Sequence, residues 1–327
     1  MSLHPWLMID PLKTVADLNT RFREAVFVKL SKKGVVVAIS GGIDSSVCAA
    51  ISVGALGKER VFGLLLPETD SSHRSLELGE SVCQALGIPY KVVDISPTLE
   101  AIGCYEWRDA AIKNVFPGYG PGWKNKIVIS RNAMETDQLN YFRLVVESPT
   151  GDRSESRLPL SEYLQIVAAT NFKQRIRKTL EYFHADRLNY AVVGTPNRLE
   201  YDQGFFVRNG DGAADVKPIA HLYKSQVYEL ARHLKLPDGV VASTPTTDTY
   251  SLEQGQDEFY FSLPYGKMDL VLYGLNHGKN ESEVAQAAGL TEDQVRRAFA
   301  DIRGKRRTTG RLHWKPLLLE TVSEIEG

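Results

Sequence analysis

Three stretches of the chain are nearly continuously apolar instead of alternating: "VVVAIS" from residue 35, "VFGLLLP" from residue 61 and "YAVVGT" from residue 190. A strand covered on both faces needs apolar side chains at odd and even positions alike, so these segments predict buried strands of a parallel sheet. Between them "SHRSLELGESVCQALGI" sets Leu76, Val82, Leu86 and Ile88 at helix-compatible spacing, and Gly87 followed by Pro89 predicts its end before a fourth strand, "YKVVDI". Strand and helix in alternation predict an α/β fold, a doubly wound parallel sheet. Ligands of such sheets bind in the crevice beyond the carboxyl ends of the strands.

Residues 100–165 interrupt this rhythm. "FPGYGPGWKNK" is rich in glycine, proline and aromatic residues, and "YFRLVVESPTGDRSESRLPL" carries a Thr150-Gly151-Asp152 turn between partly alternating runs, which predicts a hairpin. We read the segment as an insertion into a single domain spanning residues 1–327, acting as a lid or an oligomer contact more readily than as a separate domain. The helix-then-strand pattern resumes with "AATNFKQRIRKTLEYFHADRLNYAVVGT", and residues 280–327 form a helical, basic tail. No internal repeat or low-complexity segment stands out.

With 43% hydrophobic and 24% charged residues among 327, the chain has the composition of a globular protein with a large core. Its formal charge of -1 gives no global attraction to nucleic acid or to an anionic membrane. No apolar run is long enough to span a bilayer, and "MSLHPWLMIDPLKT" lacks a basic flank followed by an apolar stretch, so a cytoplasmic location is expected. Cys48, Cys83 and Cys104 form no CxxC pair and are read as buried thiols. The histidines show no metal-ligand spacing.

The chemistry concentrates where the first strand ends, in "SGGIDSS". Gly41 and Gly42 let successive N–H groups curl toward one anion, the following helix adds its positive end, and Ser40, Ser45 and Ser46 supply hydroxyls: a phosphate cradle. No G-x-x-x-x-G-K-[ST] spacing is present, and Asp44 stands in the turn instead of a lysine. A carboxylate beside phosphate calls for a cation between them, and Mg2+ bridging Asp44 to phosphate oxygens satisfies hard-ligand chemistry. A plain glycine turn with an acid at a helix N-terminus is the structural alternative.

"SGGIDSS" resembles the pyrophosphate-binding loop of the N-type ATP pyrophosphatases, which cleave ATP between its α and β phosphates. Within that superfamily, "VVGTPNRLEYDQGFFVRNGDGAADVKPIAHLYKSQVYELARHL" resembles the pattern of the NAD synthetase family, as do "NFKQRIR" and "STPTTD". The resemblance runs over roughly residues 20–100 and 165–265. It implies a Rossmann-like fold and an ammonia-dependent amide-forming ligase that adenylates the carboxylate of deamido-NAD with ATP and Mg2+, releases pyrophosphate and admits ammonia. It assigns Asp44 and Glu200 to Mg2+, Thr195, Lys224 and Thr246 to the ATP phosphates, and Asn171, Arg175, Phe205, Asp211 and Lys217 to the dinucleotide side. Asp44, Lys224 and Asp211 take the catalytic roles, and a homodimer is implied.

The chain departs from the family pattern in the long 100–165 segment and in Pro196, Asn197 and Arg198, so another carboxylic acid is an alternative substrate. No glutaminase region is seen, which implies free ammonia or ammonia delivered by another protein. "ESEVAQAAGLTEDQVRRAFADIRGKRRTTGR" could pass for a helix-turn-helix, which offers a nucleic-acid-binding module as the competing class.

Overall fold

A computed structural model describes residues 3–129, 141–243, 250–252, 260–261 and 263–323. After α1 (Pro11–Glu24) and a wider π turn, the chain enters β1 (Val35–Ala38), α2 (Ile43–Leu56), β2 (Val61–Leu65), α3 (His73–Leu86) and β3 (Tyr90–Val92). Gly87 ends α3 in the left-handed conformation at φ 64°, the backbone that glycine adopts without strain. Two short helices, α4 (Ser96–Ala101) and α5 (Cys104–Val115), lead to three more strands, β4 (Lys124–Ile129), β5 (Phe142–Glu147) and β6 (Arg153–Arg157). The long α6 (Leu160–Leu188) then returns the chain to the main sheet as β7 (Ala191–Val193).

The main sheet has the order β3-β2-β1-β7, and all its pairings are parallel. Val35 and Val37 of β1 enter one core with Val47, Ile51, Val82 and Val227, whereas Val36 enters the opposite core with Leu64, Leu99, Ala169 and Val192. Adjacent side chains on a strand point to opposite faces, so an unbroken valine run is what two helical layers require. The parallel α/β architecture expected from the pattern is therefore the architecture observed. Successive strands β1, β2 and β3 move outward on one side and β7 lies on the other side of β1, so the order reverses between β1 and β7.

Strands β4, β5 and β6 form an antiparallel sheet, with the β5–β6 turn at Thr150 and Gly151 as the sequence suggests. Leu144 and Val146 alternate inward from β5 and pack with Ile127, Ile112 of α5 and Ile166 of α6, a core of its own at the base of the segment.

Beyond β7 come α7 (Arg198–Gln203), α8 (Lys224–His233), α9 (Asp238–Val241), α10 (Tyr265–Asn276), α11 (Glu281–Ala288) and α12 (Glu292–Thr309). The last two are the helices of the helix-turn-helix-like stretch, joined at Gly289. Val284, Ala288, Val295, Phe299 and Ile302 are buried against α10 and α7 in a further core. Two basic residues of α12 are tied down as well. Arg306 bonds both carboxylate oxygens of Asp202 at 2.6 and 2.8 Å, and Lys305 donates to the Tyr260 carbonyl at 2.6 Å. A recognition helix needs such side chains free to reach a groove; here Arg306 anchors α12 to α7, and Lys305 anchors it to Tyr260.

Candidate active site

The loop after β1 builds its cradle from side chains that hydrogen-bond one another. Gly41 has φ +78°, and a Cβ there would lie 2.3 Å from the Ser75 carbonyl oxygen, so both conformation and space demand glycine. Ser45 Oγ donates to the Gly42 carbonyl at 3.0 Å and lies 3.1 Å from Ser40 Oγ, which accepts from Gly42 N–H at 3.3 Å. Gly42 is the N-cap of α2 and offers no side chain to its first-turn amides, which leaves the positive helix end facing a cavity of about 960 Å³. Ser46 is fully buried and donates to the Gly42 carbonyl at 2.8 Å; it braces the turn from behind and does not face the cavity.

Asp44, in the first turn of α2, meets Lys224, the first residue of α8, in an ion pair with the lysine side chain 1% exposed. Asn197 closes the group: its Nδ2 donates to Asp44 Oδ1 at 3.1 Å and to Glu200 Oε2 at 2.9 Å. Two carboxylates from segments more than 150 residues apart in the chain thus share one amide, and the ammonium pairs with Asp44. Burial and then the neighbouring Asp44 push the Glu200 pKa up to about 8, while Lys224 holds it back. Burial alone would lower the Lys224 pKa, but Asp44 and Glu200 outweigh it and the net shift is upward. The ammonium is thereby kept charged at the floor of the crevice.

The segment after β7 supplies the opposite side. Thr195 lines the cavity directly beyond the strand. Phe205 also lines it and stacks on Tyr260 at 4.6 Å, so one face of its ring is already occupied. Asp211 opens onto the cavity with its Oδ1 held by Val207 N–H at 2.8 Å; the crowding of the wall around it raises its pKa against the bonds that lower it. Lys217 lies behind this wall, its ammonium bonded to the Gly212 carbonyl at 2.7 Å and 5.0 Å above the Tyr201 ring. From α6, Asn171 and Arg175 reach the cavity, and Arg175 also donates to the Arg208 carbonyl at 3.3 Å. Thr246 lies outside the described residues.

Three further groups belong to this site. Asn197, noted in the sequence only as a departure, is the connector between the carboxylates, and the Asn197-x-x-Glu200 capping-box spacing was its signal. Lys178 and Glu181 form a buried ion pair of 2.7 Å on the cavity wall; Asn171, Arg175 and Lys178 follow the i, i+4, i+7 spacing of one helix face. Asp269 of α10 is fully buried and receives Lys224 N–H at 3.2 Å and Ser225 N–H at 2.7 Å, capping the helix that presents Lys224. No local signal could reveal Asp269, because its partners lie 44 and 45 residues away. The tail contributes Arg311 and Leu312 to the same cavity.

The donor set suits a hard divalent cation. Among the described residues no trio of His, Cys, Asp or Glu converges, but Mg2+ commonly takes one or two carboxylates and completes its shell with phosphate oxygens and water. Two carboxylates held close enough to repel meet that requirement at Asp44 and Glu200.

The NAD synthase family model matches residues 15–115 and 138–307. The chain is 58% identical over 314 residues to the NH(3)-dependent NAD(+) synthetase of Rhizobium meliloti (strain 1021), covering 96% of this chain and 92% of that one. It is 53% identical over 318 residues to the enzyme of the same description from Mesorhizobium japonicum, covering 97% and 99% of the two. Among solved structures, the NH3-dependent NAD synthetase of Campylobacter jejuni superposes with a TM-score of 0.61 at 24% identity, over 95% of this chain and 100% of that one. The NMN synthetase of Francisella tularensis does so at 0.63 and 20%, over 96% and 100%. At those identities the structures establish a shared fold; the family match and the close relatives establish more. The chain belongs to the NAD synthase family.

Proposed function

We propose that the protein is an ammonia-dependent NAD synthetase. ATP adenylates the carboxylate of deamido-NAD, pyrophosphate leaves, and ammonia displaces AMP from the acyl-adenylate to give the amide. The observation that carries this reading is the meeting of Asp44, Asn197, Glu200 and Lys224 beneath the α2 N-terminus, at the point where the strand order reverses. Relatives at 52–58% identity over nearly the whole chain carry the same description.

The chain's own groups account for the electrostatics. Negative charge develops on the α-phosphate oxygens and on the departing pyrophosphate, and a fixed ammonium with a helix N-terminus stabilises it without reorganising. Lys224 supplies the first, and the Ser40–Gly42 turn with α2 supplies the second. Asp44 and Glu200 would hold Mg2+, which when bound neutralises phosphate oxygens. Asp211, Asn171 and Arg175 form the acceptor-acid side of this reading, with Asp211 in the role of proton acceptor.

Three further points belong to the same reading. A homodimer would cover Leu160 and Leu164 of α6 and Trp107 of α5, apolar side chains that are 71%, 56% and 41% exposed. A cytoplasmic site suits three free buried cysteines, and among the described residues no helix is long and apolar enough to cross a membrane. The neighbour described as an NMN synthetase motivates a second acid, because the same fold serves a different pyridine nucleotide there. Mass spectrometry of products from ATP, ammonia and a panel of acids that includes deamido-NAD and the acid form of NMN separates these. Amidation of deamido-NAD is the expected result; amidation of another acid with deamido-NAD untouched would move the substrate and keep the chemistry.

A further inference from the structure

Lys173 is the third residue of the "NFKQRIR" stretch, between the cavity-lining Asn171 and Arg175, yet it faces away from the cavity and is 1% exposed. Its ammonium lies 3.0 Å from Glu68 Oε1 and 2.5 Å from Asp70 Oδ2. Glu68 also receives the Tyr105 hydroxyl at 2.8 Å and Asp70 N–H at 3.1 Å, and Asp70 is paired again with Arg108. The two acids stand on the turn that follows β2, closed by Ser71 N–H on the Glu68 carbonyl at 2.8 Å. Arg177 grips that turn from α6, with bonds to the Leu66 carbonyl at 3.2 Å and to Ser71 Oγ at 3.3 Å. Four charged groups are thus buried behind the cavity wall, with Tyr105 among them and the visible face of the turn formed by Pro67, Ser71 and Ser72.

Burying charge is costly, and replacing a buried ion cluster by apolar side chains often leaves stability unharmed. What such a cluster does supply is a single geometry, since each charge must find its partner or stand unpaired. The geometry set here is that of the 67–72 turn. β2 adjoins β1 on the side away from β7, and the first turn of α3 presses on Gly41 of the phosphate cradle. The 67–72 turn therefore walls the nucleotide side of the crevice, whereas the acid side is built from Asn171 and Arg175 of α6 and from the segment after β7.

We propose that Lys173, with Glu68 and Asp70, is a positioning residue for ATP: it clamps the 67–72 turn against α5 and α6 so that the nucleotide side of the cavity is preformed. The clamp rests on the proposed function only in taking ATP as the nucleotide. The test uses the full chain with Lys173→Met, Lys173→Arg and Tyr105→Phe, the last removing one hydroxyl from the cluster with the ring kept. ATP affinity is read by calorimetry, and KM for deamido-NAD by turnover. Lys173→Met is expected to weaken ATP about tenfold and Tyr105→Phe about threefold, each leaving KM for deamido-NAD within about twofold, while Lys173→Arg stays near wild type. Unchanged ATP affinity in Tyr105→Phe and Lys173→Met overturns the clamp, as does a parallel loss for both substrates. If Lys173→Met does not fold, Tyr105→Phe decides. Failure of the wild-type protein to bind ATP would instead sink the functional reading, so the two failures are distinct.

Discussion

Replacing Lys224 by methionine keeps most of the side-chain volume and deletes the charge that joins the two halves of the site. The ammonium is 1% exposed, and Asp44 is 16% exposed, so little solvent is at hand to take over. Unit charges about 3 Å apart at an effective dielectric of about 20 attract by ~5 kcal/mol. The net cost of orphaning a buried partner is ~3–5 kcal/mol, and the partial exposure of Asp44 sets the expectation at about 3 kcal/mol. Losing an ammonium aimed at developing phosphate charge is expected to lower kcat about 100- to 1000-fold. Lys224 also holds the Glu200 pKa down, so the variant protonates Glu200 more readily still. Denaturant unfolding measures the first effect and pyrophosphate release the second. Adding Asp44→Asn removes the orphaned charge, so the double variant should recover most of the stability and none of the activity. A single variant with kcat within about threefold of wild type, or a double variant that regains turnover, would refute the reasoning.

Gly41→Ala forces a side chain into a φ +78° position with 2.3 Å to the Ser75 carbonyl oxygen; ATP affinity should fall about tenfold or more, with deamido-NAD binding retained, as titration calorimetry can show. Burial raises the Asp269 pKa to about 6 against its hydrogen bonds to Ser225 and Lys224. An acid raised in the folded state binds protons more tightly there, so its contribution to stability is full below about 4 and is lost as pH rises through about 6. Asp269→Asn should therefore flatten the fall in Tm across that window; an unaltered Tm–pH curve would show that Asp269 does not titrate there. Heparin retention should be weak and only shallowly salt-dependent, because Arg306 and Lys305 are committed to Asp202 and the Tyr260 carbonyl. A steep salt slope would restore the nucleic-acid reading.

Within the chain, local order was enough for the sheet and the cradle. The valine run of β1 and the Gly87 stop of α3 are each decided by neighbours a few residues away, because strand burial and helix termination are local in cause. "SGGIDSS" was legible for the same reason: its glycine conformation, hydroxyls and helix end are all made by consecutive residues. The partnership of Asp44 with Lys224 and Asn197, by contrast, joins positions 180 and 153 residues apart. Only the reversal of strand order between β1 and β7 brings them together. Likewise, the sequence marked Asn197 as an oddity, and folding made it the bridge between two carboxylates. Lys173 shows the converse: its place in a helix beside Asn171 and Arg175 suggests a ligand contact, but 3.6 residues per turn point it to the buried side, where Glu68 and Asp70 arrive from the turn after β2. What each residue type can do chemically was determined by the sequence itself. Which residues meet, and which of them face the cavity, was decided by tertiary structure, since the charges that meet there come from different strand ends that only the folded sheet sets side by side.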